Sequence, residues 1–378
     1  MQRRRYLALL TVAFAGCNSA SDGGDTPAAD GTGTRTATRR TATRTSAPTA
    51  TSRPTEMPTE TTETPTETAT ETETATETET ATATPEPETA DHIATARDAL
   101  SEAYDAYLAQ FEDADSLRFV EAGRPFDQEP VGRRAAAADA ALDRAANSGP
   151  TNSEESLIGR LRDVSLALDR LAAAEAAAAT GYGNVEDALE ALYTEEDTRA
   201  ARRNLRAAGN AAEGISTAIN ALRTDVRPHD LGAVSFIDGR EYRRRRDQLE
   251  EFEDALESDL PDRLSGLGAG FGAFGDGVDA YSDENYAAAS GYLDDAVERF
   301  DSVRTAWEEL DTPGALDGLV ETFREALTTL SQGTDDLSEA ASAFQNESGA
   351  VEQLQAKRTY RENDTVAEMP TVQRVLDL

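Results

Sequence analysis

The chain has 378 residues and a formal net charge of −36, from 72 acidic and 36 basic side chains. That balance leaves no basic footprint for a nucleic-acid partner. The single cysteine, Cys17, excludes an internal disulfide, and His92 and His229 lack a nearby second histidine or cysteine, so no zinc site or other cofactor is expected.

In chain order, the first element is a basic head, Arg3-Arg4-Arg5, followed by an apolar run from Tyr6 to Gly16. About twenty residues are needed to span a bilayer, so this run reads as the core of an export signal and not as an anchor helix. Arg3, Arg4, Tyr6 and Leu7 resemble the twin-arginine export motif. Phe14-Ala15-Gly16-Cys17 resembles a lipobox, with Phe where Leu, Val or Ile is usual. The resemblance implies a signal peptide over 1–16, a lipid on Cys17 as the membrane attachment, and a location on the outer face of the cell membrane. Carboxylates in excess, abundant alanine and one lysine, Lys357, resemble a haloarchaeal proteome. At 1 M salt the Debye length is about 3 Å, so self-repulsion of this size is screened.

Residues 17–90 are mainly Thr, Glu, Ala, Pro and Ser and show no apolar periodicity. They cannot bury enough apolar surface to offset ordering entropy, so a disordered stalk is expected. Ser/Thr-rich tracts with Pro read as spacers that can carry O-linked sugars. Arg35 to Arg53 lie on the membrane side of this stalk and Glu56 to Glu88 on the outer side.

From Asp91 the pattern becomes helical. Ile93, Leu100, Tyr104, Tyr107 and Phe111 share one face, and Leu157, Leu161, Val164, Leu168 and Leu171 another. The same spacing recurs from Leu264 to Tyr281 and from Leu316 to Phe344. The one strand-like alternation is Ala233-Val234-Ser235-Phe236-Ile237. Breaks are expected at Gly123-Arg124-Pro125, Gly149-Pro150, Arg227-Pro228, Thr312-Pro313 and Gly349, with capping side chains in Asn152-Ser153-Glu154-Glu155 and Asp311-Thr312-Pro313. The fold class is therefore all-α, an irregular helical bundle or helical-hairpin array after a disordered N-terminal region. The helical ectodomain covers 91–378, divisible near 226–240.

A weak repeat aligns Tyr193–Ala201 with Tyr281–Ala289, then Leu205 with Leu293 and Ala208 with Ala296. The turn resembles that of a tetratricopeptide repeat, although the spacing is far from 34 residues. Gly270-Phe271-Gly272-Ala273-Phe274-Gly275 matches a dinucleotide fingerprint in form only. No strand precedes it, and Phe271 and Phe274 belong to a helical face. Its glycines are expected to admit a close neighbour, with a hinge as the alternative.

Arg240, Arg243, Arg244, Arg245 and Arg246 form the one basic cluster. They offer an anion or partner patch, or a solvated face with Arg243 reaching Asp247 and Arg246 reaching Glu250 at i,i+4. Asn346 and Asn363 open N-glycosylation sequons. Trp307 shares a helical face with Phe300 and Val303 and is expected in the core. No GxSxG or HExxH motif appears, and carboxylates are too many for any pair to stand out. The expected function is that of a non-enzymatic surface lipoprotein whose helical domain binds an envelope protein. The alternative is a solute- or cation-binding lipoprotein associated with a membrane transporter. A cell-surface hydrolase is the least favoured.

Overall fold

The computed structural model describes residues 87–378 apart from Asp113 and Glu347. The chain divides into two units, Met1–Glu77 and Thr78–Leu378, and every described residue belongs to the second. Arg3, Arg4, Tyr6, Leu7, Cys17 and the stalk up to residue 86 lie outside the described residues.

The second unit is an all-α array of helical hairpins. Among the described residues no strand occurs, and no helix is long and apolar enough to cross a membrane. The helices are α1 (Pro87–Leu108), α2 (Glu129–Asn147), α3 (Asn152–Glu195), α4 (Thr198–Asp225), α5 (Gly239–Glu257), α6 (Leu260–Arg263), α7 (Leu267–Ser282), α8 (Tyr286–Glu308), α9 (Gly314–Phe344), α10 (Ala350–Arg361), α11 (Asp364–Ala367) and α12 (Pro370–Asp377). The first begins at Pro87, four residues before the change in composition, because proline is pre-shaped for the first turn of a helix. Connections of two to five residues join α3 to α4, α7 to α8, α8 to α9 and α9 to α10, folding each helix back on its predecessor.

The longest helix, α3, has 44 residues, or about 66 Å at 1.5 Å per residue. It starts on a reciprocal cap one residue earlier than the sequence indicated. Thr151 Oγ1 accepts from the Glu154 N–H, and the Thr151 N–H donates to Glu154 Oε2 at 2.8 Å. Its buried face is rich in alanine (Ala167, Ala172, Ala174, Ala178, Ala188), as is that of α4 (Ala201, Ala208, Ala212, Ala218). Small side chains let the two backbones close on each other, and this is the most extensive helix pair. The expected cap of α9 is also corrected. Pro313 occupies the N-cap without a side-chain bond, and Thr312 Oγ1 instead donates to Asp317 Oδ1 at 3.2 Å.

One contiguous core runs from Ile93 to Val375. The strand-like segment 233–237 is the end of a 3-10 turn, Asp230–Ala233, and the irregular chain after it. Phe236 packs on Tyr104 at 5.4 Å and Ile237 is buried, so the alternation serves core contact without a second strand to pair with. Gly270 to Gly277 lie inside the continuous helix α7, whereas Gly266, at φ 94°, forms the turn before it. A methyl group on Gly270 or Gly277 would lie 3.0 Å from Phe300 or 2.8 Å from Leu293, both on α8. Trp307 is fully buried, edge-on to Phe323 at 4.7 Å.

The repeated turn is real as geometry. Glu196 and Glu284, 88 residues apart, both adopt left-handed backbone conformations, φ 53° and 60°. After each turn the buried register matches: Ala201, Leu205, Ala208, Ala212, Ile215 and Ile219 against Ala289, Leu293, Ala296, Phe300, Val303 and Trp307. The helices before the turns differ, 44 residues against 16, so what repeats is a hairpin corner and not a whole unit.

Candidate functional site

Residues 109–128, between α1 and α2, form the longest connection among the described residues. Helices in bundles are usually joined by two to eight residues, and loops beyond about 12–15 residues tend to be functional or unstructured. This one is tied down. Leu117 and Val120 are buried, and Tyr107, Phe111 and Phe126 form a triad with ring centroids 5.3–5.6 Å apart. Gln110 Nε2 donates to the Asp127 carbonyl at 3.0 Å and pins the loop ends together. Gly123, at φ 80°, sits where a methyl group would come within 2.9 Å of Tyr182, so both backbone and space require glycine there.

Beneath the loop lies a buried ion pair. Arg245 of α5 and Glu175 of α3 are each 1% exposed. Arg245 Nε and Nη2 donate to the two Glu175 oxygens, both at 2.6 Å, in the bidentate fork that suits guanidinium and carboxylate. Tyr107 of α1 donates its hydroxyl to Glu175 Oε1 at 2.6 Å. Arg245 Nη1 donates to the Val120 carbonyl at 3.0 Å and to Gln248 Oε1 at 3.2 Å. Burial, reinforced by the Glu175 charge, pushes the Tyr107 pKa well above its ordinary value, so the hydroxyl stays protonated and donates. Burial alone would lower the Arg245 pKa, and Glu175 beside it more than reverses that. The network joins α1, α3, α5 and the loop. Its polar atoms are engaged and its side chains are almost wholly buried, with Arg245 lining the floor of a cleft, so it serves as a clamp.

Two clefts share Glu121 of this loop. One, of about 440 Å³, is lined by Gln110, Phe111, Phe119, Arg124 and Pro125. The other, of about 290 Å³, lies between Val120, Arg245, Gln248, Phe252, Pro313 and Ala315. At the loop tip Phe119 is 56% exposed, with the Arg118 guanidinium 5.5 Å from its ring centre. A larger cleft, about 540 Å³, is walled by Glu308, Glu321, Glu325 and Glu362. Its one cation, Arg324, is taken up by the C-terminus of α8, donating to the Trp307 and Leu310 carbonyls at 2.7 and 2.8 Å.

The arginine cluster divides. Arg240, Arg243 and Arg244 are exposed, Arg246 is half-buried, and Arg245 is inside. The expected i,i+4 pairs are replaced: Arg246 binds Asp247 at 2.7 Å, and Glu250 is held by Arg223 of α4. Periodicity carried the missing signal, because Arg245 lies on the stripe Tyr242, Arg245, Leu249, Phe252, Leu256, and Glu175 on Leu168, Leu171, Glu175, Ala178. A charge on each of two core stripes announces a buried pair. Of the sequons, Asn346 is exposed, whereas Asn363 is half-buried and accepts from the Thr365 and Val366 N–H groups as the N-cap of α11. No protein family, curated protein or solved structure matches this chain.

A second carboxylate contact has a pH signature. Burial, with Asp230 as a hydrogen-bonding neighbour, raises the Asp163 pKa; His229 Nε2 lies 3.2 Å from Asp230 Oδ1. The folded state thus holds a proton on Asp163 more tightly than the unfolded chain. Stability falls as pH rises through the raised pKa and recovers on acidification. Asp163→Asn should raise the melting temperature at neutral pH and flatten this slope between about pH 7 and about pH 4. Thermal melts across that range read it directly, and a variant whose slope matches that of the parent would refute it.

Proposed function

We propose that the chain is a non-enzymatic, lipid-anchored surface protein of haloarchaeal type whose helical unit binds another envelope protein through the α1–α2 loop. The observation that carries the binding reading is Phe119, an aromatic ring 56% exposed on a long loop fixed by a buried ion pair. A rigid, solvent-facing aromatic beside an arginine is the kind of anchor that dominates protein interfaces. Pre-ordering the loop lowers the entropy lost on docking. Twin-arginine export through Arg3, Arg4, Tyr6 and Leu7, and attachment through Cys17, rest on the motifs alone.

The intact chain would be recovered from its native membranes in multimolar KCl beside Phe119→Ala and Cys17→Ser forms, with mass spectrometry of the co-purifying proteins. One envelope protein should accompany the parent, and its recovery should fall at least tenfold, about 1.4 kcal/mol or more, with Phe119→Ala. Melting should be unchanged, because Phe119 is exposed. Equal recovery with both forms would remove the loop from the interface. The mass of the N-terminal peptide reports lipid on Cys17 independently.

A further inference from the structure

We propose that the outer face of α10 rests on the anionic surface of the membrane that holds the protein, an inference built on the lipid-anchored reading above. Helix α10 buries Ala356, Thr359 and Tyr360, with Tyr360 Oη 3.0 Å from Thr334 Oγ1 and Thr359 Oγ1 donating to Asp336 Oδ2 at 2.7 Å. Its opposite stripe, at i, i+3, i+7 and i+10, is Val351, Leu354, Arg358 and Arg361. Val351 and Leu354, 76% and 67% exposed, are the two most exposed large apolar side chains among the described residues. Half-buried Lys357, the chain's only lysine, flanks the stripe. Arg358 meets Glu362 at 3.7 Å, but both are largely exposed, and such pairs contribute little.

In a chain with twice as many acids as bases, this helix face joins exposed aliphatic and cationic groups. Aliphatic groups suit the boundary between headgroups and acyl chains, and cations suit lipid phosphates. A protein this acidic is repelled by an anionic surface at low salt. At 1 M salt the Debye length of about 3 Å leaves only groups in near contact to act, which favours a face where basic and aliphatic side chains lie together. Affinity need not be high. Cys17 and Pro87 are 70 positions apart, a reach of no more than about 250 Å when fully extended. A lipid on Cys17 would therefore keep the unit near the surface, and tethering turns a weak contact into a populated one.

The test uses the full chain with Cys17→Ser, so that no acyl chain contributes, co-sedimented with phosphatidylglycerol or phosphatidylcholine vesicles in molar KCl. The parent should sediment with phosphatidylglycerol. Val351→Ser/Leu354→Ser should lower the bound fraction about tenfold. Arg358→Gln/Arg361→Gln, or a change to phosphatidylcholine, should lower it several-fold. All four side chains are exposed, so melting should not change. The proposal is overturned if the parent stays in solution, or if the double variants bind as it does. It is equally overturned if the parent is a dimer that Leu354→Ser dissociates, since a second copy would then cover α10. The two readings fail separately. An unlipidated Cys17 in protein from native membranes sinks the anchor, while a lipidated Cys17 with no vesicle binding sinks only the role of α10.

Discussion

Replacing Glu175 with alanine should destabilise the helical unit by about 3–5 kcal/mol, because it leaves the Arg245 guanidinium charged and unpaired in a site that is 1% exposed. Arg245→Ala should cost a similar amount and also strip the Val120 carbonyl of its donor. Exchanging the whole network for apolar side chains of similar volume, Tyr107→Phe with Glu175→Leu and Arg245→Met, should behave differently. The desolvation of two charges disappears with the charges, so stability should stay close to the parent or exceed it by about 1–4 kcal/mol. Chemical denaturation in high salt measures all three. The triple variant should nevertheless release residues 109–128, since nothing then holds the Val120 carbonyl. Amide hydrogen exchange in the loop should speed up while global stability is kept. A triple variant as unstable as Glu175→Ala would mean that the pair itself stabilises the fold. A triple variant with a protected loop would mean that the aromatic triad suffices to hold it.

How much of this was legible in the sequence depends on whether the signal is local. The helical faces were, because burial follows a 3.6-residue period that needs no partner to be recognised; Leu264 to Tyr281 is buried as its spacing indicated. Breaks at glycine and proline were legible for the same reason. Element ends were less so, since Asn152-Ser153 and Thr151 are equally good caps until Glu154 chooses between them. The clamp was not read. Arg245 stands among four other arginines, and its inward direction shows only when the stripe of Tyr242 and Leu249 is drawn through it. Its partner Glu175 is 70 residues away, and no rule of spacing joins them. Phe119 was missed because a lone aromatic in a loop has no period. Exposure is a property of what surrounds it.

The corner repeat yields the last expectation, a contrast between two residues that the sequence makes look equivalent. A non-glycine residue in the left-handed region costs about 1–2 kcal/mol, so glycine would be favoured at both Glu196 and Glu284 on backbone grounds. Glu284 is exposed, and Glu284→Gly should stabilise the unit by about 1 kcal/mol, raising the melting temperature by about 2–4 °C. Glu196 has a second task. Its Oε1 accepts from the Thr371 N–H at 2.9 Å and its Oε2 from the Thr371 hydroxyl at 2.7 Å. The N-cap position of α12 is Met369, whose side chain cannot cap, so a carboxylate 175 residues earlier in the chain caps the helix from outside. Hydrogen bonds to a charged group are worth about 1.5–3 kcal/mol each. Losing two outweighs the backbone relief, and Glu196→Gly should destabilise the unit by about 2 kcal/mol. Its first symptom should be faster proteolysis after Met369 as α12 frays. Glu196→Gln, which keeps one good acceptor and the same backbone, should fall between parent and glycine variant. If both glycine variants shift the melt in the same direction, the carboxylate at Glu196 does not cap α12, and the left-handed corner is held by something other than its side chain.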